Sequence, residues 1–171
     1  MDLKDIQAPL KEQYRADAGA ARFTLSATAS SEDGSPTSCA VDLGRTIYAA
    51  QAHAGVGGAG TAACSGDLLL GALAACAQLT AQMAANSAGI PFNTMRVTVE
   101  GDLDLRGTLG LSRDAPVGFS AIRVRFDIDA PDATERQRRS LQRTTEAYCV
   151  VMQTLLKPPA IDVSWSPTAH P

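Results

Sequence analysis

The chain has 171 residues, of which 45% are apolar, 19% charged and 5% aromatic, enough for one domain whose core is built mainly from Leu, Val, Ile, Ala and Met. A formal net charge of -3 is the reverse of the basic balance expected of a nucleic-acid binder. The opening MDLKDIQAPLKEQYRADAGAARF lacks a basic start followed by an apolar core, so no export signal is read and a reducing cytoplasm is the expected home.

Taken in chain order, Leu3, Ile6, Leu10 and Tyr14 recur at three to four residues and predict a short amphipathic helix over residues 1–15. Pro9 is placed to bend or interrupt it. Residues 22–29 alternate in part and read as a strand. EDGSPTS, residues 32–38, reads as a turn, and residues 40–50 as a second strand. HAGVGGAGTAACSGD follows as a glycine-rich loop. A long helix then starts near Ser65 to Asp67, where Ser or Asp can cap free N–H groups. Leu69, Leu73, Cys76, Leu79 or Thr80, and Met83 form its expected buried stripe, and it stops at Gly89 before Pro91.

Residues 95–105 alternate, with Met95, Val97 and Val99 on one face. Residues 121–128 do the same, with Ile122, Val124, Phe126 and Ile128 on one face and Arg123, Arg125 and Asp127 on the other. Together they predict a half-buried strand pair. A helix is predicted over 132–156, charged early and apolar late, ended by Lys157-Pro158-Pro159. Residues 161–165 read as a last short strand. Helix, strands, long helix, two strands, helix and strand make an α+β fold with helices on an antiparallel sheet.

The unbroken apolar run in the long helix is ten residues, Leu68 to Ala77. A membrane span needs about 20, so a buried core helix is expected and no membrane partner.

Cys39, Cys64, Cys76 and Cys149 are the four cysteines. In a chain of this length without an export signal they read as free or redox-active rather than as a disulfide framework. Cys76 and Cys149 each sit mid-way in an apolar helical stretch, 73 residues apart, unlike a metal knuckle. On the residues alone, each reads first as a small core hydrophobe and only second as a reactive thiol. A buried reactive thiol needs a cation to favour its thiolate, and often a carboxylate to hold that cation. His53 reads as a loop residue, GVGGAG lacks the strand and helix of a dinucleotide loop, and Arg136, Arg138, Arg139 and Arg143 read as a solvated helix face.

GDLLLGALAACAQLTAQMAANSAGIPFNTMRVTVEG resembles the central helix and following strand of the OsmC/Ohr family of organic-peroxide reductases. TEAYCVVMQTLL resembles that family's second cysteine helix, and QAPLKEQYRADAGAARFTL an N-terminal extension of some OsmC-like members. The resemblance implies a single OsmC-like domain over 1–171, with residues 1–20 as a helical extension and 166–171 as a flexible tail. It implies two central helices on strongly curved antiparallel sheets, in an intertwined homodimer. The implied chemistry is thiol reduction of organic hydroperoxides, with Cys76 peroxidatic, Cys149 resolving, and an external dithiol, often lipoyl-based, reducing the disulfide. No metal, flavin or haem is implied. Many members carry Pro-Glu near the start of the central helix, where this chain has Ser65-Gly66-Asp67. Asp67 is the candidate for the acid, its other reading being a helix cap. The family arginine comes from the early strands, and Arg45 is preferred to Arg22. Without that activation, the same fold is expected to bind an apolar small molecule between subunits.

Overall fold

Alternation at period two sets the frame of the molecule. The computed structural model describes residues 3–31, 39–42, 52–61 and 63–165. Strands β1 (Arg22–Ser31), β2 (Cys39–Asp42), β3 (Thr94–Asp104) and β4 (Ala121–Asp129) form one sheet in the order β2-β1-β3-β4, antiparallel at every step. The register pairs Met95 with Ile128, Val97 with Phe126, Val99 with Val124 and Gly101 with Ile122, so one face of the β3–β4 pair is apolar. Its other face carries charge. Arg123 on β4 binds Asp102 and Glu100 on β3, and Thr24 on β1 donates to Asp102 at 2.8 Å. Arg123 and Thr24 hold the Asp102 carboxyl down to about 2.

Helix α2 (Ser65–Ser87) lies across β1 and β3 on the apolar face. It has the length and hydropathy to cross a bilayer, yet half of it is buried inside this fold, Gln78 and Gln82 included. It ends at Ser87, and Gly89 follows at φ +61°, a left-handed conformation that only glycine adopts freely. The buried side of α2 differs from the expected stripe. Leu70, Leu73, Ala74, Ala77, Ala81 and Ala85 face the core, while Leu69 and Met83 are exposed. The four alanines let the helix approach the sheet closely, with Leu70 and Leu73 filling the core at its first half.

After β3 a single turn, α3 (Leu105–Thr108), leads through a loop to β4. Phe119 of that loop rests on Gly101, where any Cβ would lie 2.5 Å from its ring. Then come α4 (Glu135–Tyr148) and α5 (Val150–Leu156). Thr134 and Gln137 cap α4 reciprocally, a capping box. The continuous helix expected over 132–156 is therefore broken at Cys149, whose backbone leaves the helical region at ψ 102°.

Residues 157–165 form no strand. The expected last strand has its alternation but no partner strand among the described residues, and Ile161 and Trp165 are 84% and 89% exposed. At the other end, α1 (Leu3–Ala16) runs through Pro9 without stopping. It is tied down by the buried Tyr14 hydroxyl, which donates to the Gly55 carbonyl at 2.6 Å. The turn expected over 32–38 lies outside the described residues, as do residues 43–50 of the expected second strand and the tail 166–171.

Candidate active site

Cys76 lies in the middle of α2, on the border between its buried and open sides. Cys149 is fully buried at the joint between α4 and α5. Both belong to the apolar cluster that contains Leu70, Leu73, Ala74, Ala77, Val97 and Val99, with Val151 and Met152 packed against it. Both are free thiols. Cys76 is among the groups that push the Cys149 thiol up. Two positions 73 residues apart in sequence are thus brought together by the packing of α2 against α4 and α5.

The break at Cys149 is what aims its thiol. The ladder of α4 ends with Cys149 N–H donating to the Thr145 carbonyl at 3.0 Å, and that of α5 begins with Gln153 N–H donating to the Cys149 carbonyl at 2.8 Å. No Gly or Pro marks the joint, but the β-branched Val150 and Val151 follow it, and such residues are weaker helix formers. Burial pushes the Cys149 thiol up to about 11. The N–H groups of Met152 and Val151 pull it down, and the hydrogen bond and charge of Cys76 push it further up. Negative charge on one sulfur opposes a second beside it.

Asp67 is buried at the start of α2, and its carboxylate accepts from the Cys64 N–H at 2.7 Å. It occupies the third helical position and reaches back to cap the helix. It lies nine residues before Cys76, about 13 Å along the axis, and is not among the groups that act on Cys149. The structure joins Cys76 with Cys149 and places Asp67 apart from them. Arg45 lies outside the described residues. Arg22 is exposed at the start of β1 and pairs across the sheet with Asp104, whose carboxyl is held down chiefly by Arg106.

Cys64, the residue that Asp67 caps, is a third buried thiol, which burial pushes up. His53 accepts from Gly55 N–H at 3.0 Å through Nδ1, capping the turn Ala54–Val56. Among the described residues, no group of three or more His, Cys, Asp or Glu is placed to hold a metal ion.

A groove of about 1260 Å³ opens between β4 and the α4–α5 pair, and neither Cys76 nor Cys149 lines it. Its floor is the apolar face of β4, Ile122, Val124, Phe126 and Ile128, which α2 leaves uncovered, and its far wall is α4 with α5. Leu73, Thr145 and Met152 also line it. They sit three or four residues from Cys76 or Cys149, a spacing that puts each on its cysteine's side of the helix. Such an arrangement can hold an apolar molecule next to the cluster that contains the two thiols. Sequence reading missed the buried amides next to the pair. Gln78 donates through Nε2 to the Gln82 Oε1 at 2.7 Å and to the Met95 carbonyl at 3.1 Å. Their only signal was a glutamine at i and i+4 in an otherwise apolar helix.

No curated protein matches the chain. The model of the family described as OsmC-like protein matches residues 58–164, from the loop before α2 through both cysteines to the end of the described C-terminal segment. The chain belongs to the OsmC-like protein family.

Proposed function

We propose that the protein is a thiol-dependent peroxidase that reduces organic hydroperoxides. The observation that carries this reading is the packing of Cys76 and Cys149 into one apolar cluster, where the one sulfur acts on the other. Cys76, partly accessible, attacks as thiolate on the terminal oxygen of ROOH. The O–O bond breaks, the sulfur becomes a sulfenic acid, and RO⁻ leaves. Cys149, which keeps its proton, supplies it to RO⁻ and so becomes the thiolate that attacks Cys76–SOH. A disulfide forms and hydroxide departs. The sum is Cys76–S⁻, Cys149–SH and ROOH giving a disulfide, ROH and OH⁻. An external dithiol, lipoyl-based by family resemblance, returns the pair to its reduced form. Arg45 is the proposed cation beside Cys76, on that resemblance alone. The proposed setting is a homodimer in the cytoplasm. The open apolar face of β4 and the exposed Ile161, Val163 and Trp165 support the dimer, since contiguous exposed apolar surface marks an interaction site.

Purified protein with dithiothreitol or dihydrolipoate is expected to consume cumene hydroperoxide. Cys76→Ser abolishes turnover. Cys149→Ser permits one oxidation, trapped as a dimedone adduct on Cys76, and then stalls. Full turnover by Cys76→Ser refutes the assignment.

The commitment of Asp67 to the helix cap favours one second reading, a fold that binds an apolar small molecule without efficient peroxidase activity. Absence of hydroperoxide turnover, together with saturable binding of an apolar fluorophore in the groove, selects it.

A further inference from the structure

The two sulfurs of the pair differ in access. Cys149 is 0% exposed, enclosed in the apolar cluster at the joint of α4 and α5. Cys76 is partly exposed. Leu69 and Met83, seven residues before and after it, are 38% and 53% exposed. That spacing puts them on the same side of α2 as Cys76, so this side of the helix is open. From Leu68 to Ser87 α2 carries no charged side chain.

A disulfide is reduced by a thiolate that attacks one sulfur while the other leaves. The leaving preference favours attack on Cys149, because a thiol of lower pKa leaves faster and burial raises Cys149. Access runs the other way and decides, since a sulfur without exposed surface meets no solute. We propose that the external dithiol attacks the Cys76 sulfur alone, across the open and uncharged side of α2, while Cys149 departs inward. The first thiolate bonds to Cys76, the Cys76–Cys149 bond breaks, and Cys149 takes the electron pair and a proton. The second thiolate then attacks the dithiol's own sulfur in the mixed disulfide and releases Cys76 as thiolate. One of the dithiol's two protons ends on Cys149 and the other in solvent. A monothiol lacks the second sulfur and stops at the mixed disulfide. This rests on the disulfide cycle of the peroxidase reading above.

The test forms the wild-type disulfide with diamide, adds excess 2-mercaptoethanol, and quenches in acidic denaturant with N-ethylmaleimide. Fragment-ion sequencing of the digest is expected to find the mercaptoethanol adduct on Cys76 and maleimide on Cys149. Charge gives a second readout. Met83 lies about 10 Å along the axis from Cys76. With the anionic dithiol 2,3-dimercaptopropanesulfonate at about 10 mM salt, Met83→Lys should speed reduction and Met83→Glu slow it, each about two- to fourfold. Dithiothreitol, which brings one charge fewer, should respond less. Gln142→Lys, on the groove seven residues before Cys149, should act less than Met83→Lys. Adducts on Cys149, or a stronger response to charge at Gln142 than at Met83, overturn the proposal and leave the peroxidase reading intact. If neither diamide nor cumene hydroperoxide joins Cys76 to Cys149, both fall together.

Discussion

Cys149 keeps its proton because the sulfur is sealed among apolar side chains next to a second thiol. Between about 8.5, where the unfolded thiol ionises, and about 11, where the folded one does, the folded chain holds a proton that the unfolded chain has lost. Stability therefore falls as pH rises through that window. Denaturant midpoints measured from about pH 8 to about pH 11 should decline, and Cys149→Ala should flatten the decline. The Tyr14 phenol, also raised by burial, steepens its upper end. At the other end of α2, Asp67→Ala should cost about 1 kcal/mol through loss of the cap. Asp67→Asn, which keeps the acceptor, should be nearly as stable as wild type and should turn over at a similar rate. A collapse of turnover in Asp67→Asn with stability retained would instead give the carboxylate a catalytic task. Cys76 and Cys149 were singled out by their helical contexts and the family resemblance, and the structure packs both into one cluster. What surrounds them was not, because an acid at the first turn of a helix reads alike whether it caps or activates.

Elements with strong periodicity were the legible ones. β3 and β4 follow from alternation alone, and their register places every expected apolar residue on one face. The joint at Cys149 was hidden because no local breaker marks it; packing of the thiol against the α2 cluster produces it. The segment 161–165 misled for the opposite reason. Alternation reports that a stretch has two faces, not that a partner strand exists. The stripe assigned to α2 followed side-chain size, whereas the sheet selects the alanine side. One contact between elements is directly testable. Gly101→Ala places a methyl against the Phe119 ring and within 3.1 Å of Leu70. It should cost about 1–3 kcal/mol by overpacking and displace Phe119 into the groove. Thermal denaturation checks the first effect, and the KM for bulky hydroperoxides, expected to rise, checks the second.

At the scale of the whole molecule, a lone copy leaves one face of its sheet incompletely covered and the apolar Ile161, Val163 and Trp165 largely exposed. Sedimentation should find a homodimer, and Phe126→Glu, which places a charge on the β4 floor, should shift it to monomer. Ending the chain after Lys157 should weaken the dimer. An unchanged molecular mass in both variants would show that association uses other surfaces. Within each copy, the amide of Gln78 acts as a key. The alanine flank of α2 is smooth, and on its own it would let the helix slip or screw over the strands by a fraction of a turn. The bond from Gln78 to the Met95 carbonyl forbids that motion. Two residues before it, Cys76 inherits a fixed bearing, so a Gln78→Leu protein is expected to fold well and yet close its disulfide sluggishly.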